Sequence, residues 1–263
     1  MKFKLHTTFI LLILLFVNLS LISPLSANAS QGDVDYSVRA IIPDNQIDHL
    51  KSYFDLKMQP GQKQKLQLEV MNSGYKEAKI EMHVTFATTN NNGLIDYKQT
   101  DKTQADKSLK IPLTDIAKTP NQEIVIPAGK TKLVNINITM PKEKFDGVIL
   151  GSIHFVKKVD ENKVSDKKES NGVKINNQYA YVVGIKLTET QTDVLPDLHL
   201  IAIKPTLVNY RTAVVANIQN SEAAILTDLT IDAKIYKQGS NKVLHSTKRD
   251  DLSMAPNSNF DYA

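Results

Sequence analysis

The chain has 263 residues and no cysteine, so no disulfide bond holds its fold together. Small exported scaffolds usually depend on disulfides, and a chain without them must be stabilised by a packed core. Hydrophobic residues make up 41% of the sequence, which is enough to build such a core. The same absence excludes a cysteine nucleophile as the basis of catalysis.

No strong excess of charge of one sign is present either. The formal net charge is +4, from 32 basic and 28 acidic residues. Two of the basic residues, Lys2 and Lys4, lie in the first few positions, and removing a leader that contains them lowers the net charge to about +2. Nucleic-acid binding needs a clustered basic face. The charge balance therefore excludes nucleic acid as the expected partner.

The motifs of common catalytic sites are absent as well. The sequence has no Gly-x-Ser-x-Gly elbow and no His-Glu-x-x-His zinc motif, and its six histidines are scattered. Asp44, Asp48 and His49 are close together but lack the spacing of a calcium or zinc site, so a turn-capping role is the better interpretation. We assign no catalytic residue, metal ligand or cofactor. A hydrolase with two carboxylates brought together in space stays as an alternative.

Only one long apolar run occurs, at residues 9–21. Lys2 and Lys4 precede it, and Ala27-Asn28-Ala29 follows as a cleavage site. These three features predict a secretory signal peptide over residues 1–29, because the run is shorter than the roughly 20 residues of a membrane-spanning helix. The chain is expected to be exported, and no further run suggests a membrane anchor.

Hydrophobic residues recur mostly at every second position, as in half-buried strands. Residues 66–70 and 78–86 alternate cleanly, and the Asn-Ser-Gly turn at 72–74 predicts that they pair as an antiparallel hairpin. No amphipathic helix of ten residues is evident. Residues 98–120 are polar and aperiodic and are predicted to form a surface connection.

Two further strands are predicted at 148–156 and 179–187, and strands restart after Pro196. Many short strands with regular turns indicate an all-β fold of two tandem immunoglobulin-like sandwiches. About four strands fall in residues 198–263, so the second sandwich is expected to be truncated. The predicted organisation is a signal peptide at 1–29, a first sandwich at 33–158, a charged linker or hairpin tip at 159–172, and an incomplete second sandwich at 173–263. The alternative is that strand 178–188 pairs back with the first sandwich.

A polar stretch with one aromatic ring, residues 88–97, is the candidate binding site. Its amides, hydroxyls and phenol suit a sugar, which presents hydroxyl groups and an apolar ring face. The alternative is a polar loop whose side chains bond their own backbone. The candidate ligand-binding residues are Thr89, Asn90, Asn92, Asp96 and Tyr97.

Several irregular motifs, taken in order, resemble the WxL-interacting proteins of Gram-positive cell surfaces. The first half of the resemblance consists of Ile42-Pro-Asp-Asn-Gln46, Tyr53-Phe-Asp-Leu56, Pro60-Gly61 and the stretch 88–97. Its defining residues are Pro43, Asn45, Gln46, Tyr53, Phe54, Pro60 and Gly61. The second half is carried by residues 177–184, 209–211 and 254–258.

The resemblance implies a non-enzymatic surface protein with a peptidoglycan-binding domain followed by a host-binding domain. Its expected partners are peptidoglycan, WxL-domain proteins and host extracellular matrix, and its expected location is the cell surface or cell wall. Members usually end in a membrane-spanning helix, which is missing from this sequence. The alternatives from other classes are a carbohydrate-active wall hydrolase and a chaperone that uses sheet edges.

Overall fold

The computed structural model of the chain describes residues 35–158 and 179–263. The predicted signal peptide at 1–29 and the predicted linker at 159–172 lie outside these residues. Helical structure in the described ranges is confined to a 3₁₀ turn at Lys102–Gln104 and one short helix, α1, at Leu113–Ile116. No helix in these ranges is long and apolar enough to cross a membrane.

The first sandwich consists of two packed sheets. Its strands are β1 Tyr36–Ile41, β2 Phe54–Lys57, β3 Lys63–Asn72, β4 Ala78–Thr89, β5 Ile95–Gln99, β6 Ala117–Lys118, β7 Glu123–Ile126, β8 Thr131–Thr139, β9 Ile149–Lys157 and β10 Ala180–Thr188. One sheet has the order β1-β3-β8-β6, and the other has the order β2-β10-β9-β4-β5 with β7 also paired to β4. The all-β prediction is confirmed.

The side chains that form this core are the apolar ones that alternate with polar residues along the strands. In β4, Ile80, Met82 and Phe86 are almost fully buried, while Lys79 and His83 face outward. Each large apolar side chain buried in this way contributes roughly 1.5–3 kcal/mol. One polar side chain ties the sheets together: the buried Tyr36 phenol of β1 lies 2.8 Å from the carbonyl oxygen of Phe155 in β9 and donates to it.

The hairpin predicted at residues 72–74 is wrong, because β3 and β4 lie in opposite sheets. The reason is the side chain of Asn72, which is completely buried. Its amide group donates to the carbonyl oxygens of Lys76 and Ile126, and its oxygen accepts from the N–H of Gly74. The turn therefore carries the chain from one sheet across to the other.

The segment predicted to be a surface connection, residues 98–120, contributes to the core. Leu113 and Ile116 of α1 are buried, and Ala117 begins the short strand β6. One helical turn is too short to produce a recognisable period in the sequence. The prediction failed for that reason.

The second sandwich also has two sheets. Its strands are β11 Leu198–Val208, β12 Arg211–Asn220, β13 Leu226–Tyr236, β14 Val243–Met254 and β15 Ser258–Tyr262. The sheets are β11-β12-β15 and β13-β14, and their shared core contains Leu252, Met254, Phe260 and Tyr262. Apolar side chains of β11, among them Leu200, Ile203 and Leu207, are exposed in the described structure.

β10 completes the first sandwich. It pairs antiparallel with β9, from Ala180 opposite Val156 to Leu187 opposite Ile149. On its other side it pairs parallel with β2, where Ile185 lies opposite Phe54. The alternative that strand 178–188 pairs back with the first sandwich therefore describes β10, and the assignment of this strand to a second sandwich that begins at residue 173 does not.

Gly151 of β9 marks a close approach of two backbones. A Cβ atom at this position would lie 2.2 Å from the carbonyl oxygen of Thr85 and 2.7 Å from Cδ2 of Leu113. We therefore expect Gly151→Ala to destabilise the protein by about 1–3 kcal/mol, the usual range for overpacking a core. Urea unfolding followed by circular dichroism measures the change.

Gly184 of β10 supplies the matched control, because a Cβ atom there would be 3.6 Å from its nearest neighbour, Cβ of Tyr53. Gly184→Ala should shift the urea midpoint much less than Gly151→Ala. Equal midpoints for the two variants would contradict the assigned backbone contact.

Candidate functional site

The predicted site residues separate into two places in the structure. The turn between β4 and β5 faces the second sandwich, whereas Tyr97, farther along β5, lines a groove on the first. At the tip of the turn, the side-chain oxygen of Asn90 accepts from the N–H of Asn92 at 2.8 Å. The alternative of a loop that bonds its own backbone therefore describes Asn90 well, and Asn92 itself is exposed.

Thr89 is buried at the contact between the two sandwiches. Its Oγ1 lies 2.6 Å from Oγ of Ser258 and accepts a hydrogen bond from the N–H of Ala255. Nearby, the carbonyl oxygen of Gly93 accepts from the N–H of Ser253 at 2.7 Å. The hydroxyl proposed to meet a ligand instead meets another part of the same chain.

Asp106 makes a second polar contact between the sandwiches. Its carboxylate accepts hydrogen bonds from Ser108, Gln219 and Asn259, the last two on β12 and β15. Burial alone would raise the pKa of this carboxyl, but the hydrogen bonds from Ser108, Asn259 and Gln219 outweigh it and hold the pKa below its usual value. We call these contacts, made by Thr89, Gly93 and Asp106, the interdomain clamp.

The groove has a volume of about 500 Å³ and lies at one side of the first sandwich. Aromatic and aliphatic side chains dominate its wall, with a few polar groups at the rim. The lining residues are Val38, Arg39, Ala40, Ser52, Tyr53, Tyr97, Leu150, Tyr181, Val182, Val183, Gly184, Ile185, Lys186 and Ile225. An apolar concavity with a few convergent polar groups is the usual form of a ligand site. We call it the tyrosine groove.

Three half-buried tyrosines give the groove its character. Tyr53 lies beside Gly184 of β10, so close that a Cβ atom on the glycine would be in ordinary van der Waals contact with it, at 3.6 Å from Cβ of Tyr53. Burial, with a smaller effect from the nearby Tyr53, raises the pKa of the Tyr97 phenol, which therefore stays protonated and able to donate. The Tyr181 ring packs edge-on against Tyr36, with the centroids 5.0 Å apart.

Two cations stand at the rim of the tyrosine groove. Nζ of Lys186 lies 3.2 Å from the buried carboxylate of Asp55, and Arg39 pairs with Glu69 on the neighbouring strand β3. Asp96, which directly precedes Tyr97 in β5, is half-buried, and its carboxylate lies 3.9 Å from Nζ of Lys98. The groove therefore combines aromatic faces with positive charge.

The predicted family motif holds Tyr53 and β2 in place. The side chain of Gln46 is buried; its oxygen accepts from the N–H of Asp55, and its nitrogen donates to the carbonyl oxygen of Tyr53 at 2.9 Å. Asn45 exchanges two hydrogen bonds with Gln64. These hydrogen bonds hold the irregular polar loop that contains Asn45 and Gln46 in place beside the groove.

The remaining motif residues are structural. The Phe54 side chain is fully buried in the core. The carbonyl oxygen of Pro43 closes the turn by accepting from the N–H of Gln46. Gly61, in the Pro60-Gly61 turn, has a φ of +69°, a conformation that favours glycine.

Sequence reasoning missed Tyr181, Gly184 and Ile225. Each lies far along the chain from Tyr53 and Tyr97, so no local pattern connects them. The signal available was weak: a strand at 179–187 with glycine at an outward position. Within the described residues, no group of three or more histidine or acidic side chains could hold a metal ion.

Comparison with known proteins gives two family matches. A family described as "WxL Interacting Protein, peptidoglycan binding domain" matches residues 36–157, and one described as "WxL Interacting Protein, host binding domain" matches residues 170–263. The two matches together span most of the chain. No curated protein matches the sequence significantly.

Several solved structures are similar to the chain at low identity. The CsuC–CsuE chaperone–tip subunit complex of Acinetobacter baumannii is 10% identical, with 79% of this chain and 82% of that chain covered at a TM-score of 0.37. The CupB2 chaperone of Pseudomonas aeruginosa is 9% identical, with coverages of 76% and 79% and a TM-score of 0.34. A PapD-like domain of human CEP192 is 8% identical, with coverages of 60% and 87% and a TM-score of 0.34.

The lowered pKa of Asp106 predicts how the interdomain clamp responds to pH. Because the folded-state pKa lies below the unfolded value of about 3.9, the ionised carboxylate contributes stability above about pH 4. That contribution is lost as the pH falls through the folded-state pKa. Asp106→Asn should therefore lower the melting temperature at pH 7, and its difference from the unmodified protein should shrink below about pH 4.

The exposed Asp193 provides the charge-matched control, Asp193→Asn, which should leave the melting temperature nearly unchanged at pH 7. Thermal unfolding followed by circular dichroism between pH 3 and pH 7 measures all three proteins. If Asp106→Asn lowered the melting temperature by the same amount at every pH in this range, the role assigned to the Asp106 carboxylate would be contradicted.

Proposed function

We propose that this chain, which belongs to the WxL interacting protein family, binds peptidoglycan in the tyrosine groove of its first sandwich. The family membership makes it a surface binding protein of the cell wall, with peptidoglycan, WxL proteins and host molecules as partners. The family names the ligand of the first domain but does not locate the binding residues. The observation that supports the groove is the convergence of Tyr53, Tyr97 and Tyr181 on one concavity.

The chemistry of peptidoglycan suits this surface. Its amino sugars present apolar ring faces that pack on aromatic side chains, and their hydroxyl and acetamido groups accept hydrogen bonds from phenols. Its short stem peptides carry carboxylates, for which Lys186 and Arg39 at the rim are complementary. Both cations already have acidic partners, so their contribution is smaller than that of the rings.

We propose that Tyr97 and Asp96 are the members of the predicted set that lie near the ligand. Tyr97 lines the groove, and Asp96 precedes it on β5. Thr89 and Asn90 are already occupied by contacts within the protein. We assign them to the support of the loop, and we expect the exposed Asn92 to make no contribution to binding.

We also propose that the chain reaches the cell wall by export, with residues 1–29 as its leader, and that it binds without catalysis. The leader combines a basic start, an apolar run and the Ala27-Asn28-Ala29 cleavage site. The groove offers Tyr, Lys and Arg side chains but no histidine and no pair of acidic side chains among its lining residues. A glycosidase would need two such carboxylates.

Substitution of the groove tyrosines tests the site. We expect Tyr53→Ala and Tyr97→Ala each to weaken sedimentation with insoluble peptidoglycan by about tenfold, because a tenfold change corresponds to about 1.4 kcal/mol, within reach of one aromatic contact. Asn92→Ala, at the tip of the turn, should bind as well as the unmodified protein.

Tyr75→Ala is the matched control, since this tyrosine is fully exposed and is not part of the groove. Circular dichroism confirms that each variant is folded before binding is compared. Unchanged binding by folded Tyr53→Ala and Tyr97→Ala would exclude the groove, and a loss with Asn92→Ala alone would return the site to the turn.

Incubation of the purified protein with peptidoglycan separates binding from hydrolysis. We expect no soluble muropeptides above the level of a buffer control, as measured by liquid chromatography. A lytic hydrolase added to the same peptidoglycan serves as the positive control. Release of muropeptides by the protein would establish an enzyme and overturn the non-catalytic assignment.

A further inference from the structure

The walls of the tyrosine groove come from both family segments. Tyr53 and Tyr97 lie within residues 36–157, the segment matched by the peptidoglycan-binding family. Tyr181 and Ile225 lie within residues 170–263, the segment matched by the host-binding family. The boundary between the two matches therefore passes through the middle of the groove.

The strand that carries Tyr181 is an integral part of the first sandwich. β10 lies between β9 and β2, and its Val183, Ile185 and Leu187 are buried in the first core. Gly184 of the same strand lies next to Tyr53, whose Cβ would be 3.6 Å from a Cβ atom on the glycine. A chain that ended at residue 157 would lack one wall of the groove and a central strand of the sheet.

Ile225 reaches the groove from the second sandwich. The turn before it is fixed from within by Asn220, whose buried amide donates to the carbonyl oxygen of Ala224 at 2.8 Å. It is fixed to the first sandwich by the N–H of Val148, which donates to the carbonyl oxygen of Ala223 at 2.7 Å. Ile225 is thereby held at the groove together with Leu150 of β9.

Gly147 makes this contact close. A Cβ atom on Gly147 would lie 2.3 Å from the carbonyl oxygen of Ala223, so only glycine permits the two backbones to meet there. Its φ of +92° also favours glycine. The position of the 221–225 turn is therefore set by backbone contacts with the first sandwich.

We infer that the tyrosine groove is a composite site that both sandwiches must complete before peptidoglycan binds with full affinity. This inference rests on the proposed function. The second sandwich supplies the apolar side chain of Ile225, which extends the aromatic wall toward the junction. A ligand that fills the groove therefore touches both sandwiches at once.

A ligand that touches both sandwiches also couples them. Binding that occurs only when the two are docked stabilises the docked arrangement, because it removes free protein from the equilibrium. Peptidoglycan in the groove should therefore protect the backbone amides of the 221–225 turn from hydrogen exchange. Binding of peptidoglycan in the groove would thus slow hydrogen exchange in the sandwich that carries the host-binding segment.

The test replaces Ile225 in the full chain. We expect Ile225→Asp to raise the half-saturating amount of insoluble peptidoglycan in sedimentation assays by about tenfold, and Ile225→Ala to raise it by about threefold. Ile235→Asp is the matched control, since Ile235 is a partly exposed isoleucine of the same sandwich and does not line the groove. It should remain within twofold of the unmodified protein.

Tyr53→Ala, measured in the same assay, separates this inference from the proposed function. Weakened binding by Tyr53→Ala together with unchanged binding by Ile225→Asp and Ile225→Ala would overturn the composite site and leave the groove assignment intact. Unchanged binding by Tyr53→Ala would overturn the groove assignment, and the composite site with it. Ile225→Ala removes no more than an aliphatic side chain, so it keeps the test decisive if Ile225→Asp does not fold.

Discussion

The hydrogen bonding of β10 to both β9 and β2 is the interaction on which the rest of the structure depends. It closes the five-strand path of one sheet and buries Ile185 and Leu187 in the first core. It also aligns Tyr181 and Gly184 with Tyr53, which creates the tyrosine groove. A single strand from the later part of the sequence thus supplies both a part of the core and a wall of the proposed site.

The polar groups of the interdomain clamp are of the kind that bind ligands, but here they hold the two sandwiches together. Thr89 and Asp106 present the hydroxyl and carboxylate groups expected of a sugar site, yet their partners are Ser258, Gln219 and Asn259 of the same chain. Buried polar groups need hydrogen-bond partners of some kind. Composition alone does not tell whether that partner is a ligand or another part of the protein.

Much of the fold could be predicted from local pattern, because strand alternation and turn residues are local properties. Strands β3 and β4 were recognised on that basis. The sheet to which a strand belongs is a property of distant contacts, so the turn at Asn72 was misread as a hairpin. The same limit applies to the site: Tyr97 was identified through its neighbours in sequence, whereas Tyr181 is its neighbour only in space.

The parallel pairing of Ile185 with Phe54 joins positions that are far apart along the chain. Folds dominated by such distant pairings form slowly, because the ends of a long loop must meet before any stabilising contact is made. During synthesis the first sandwich stays unfinished until β10 has been made, and its half-formed sheets offer unpaired edges to other chains. Until β10 is paired, the incomplete sandwich is therefore more prone to aggregate than the finished fold.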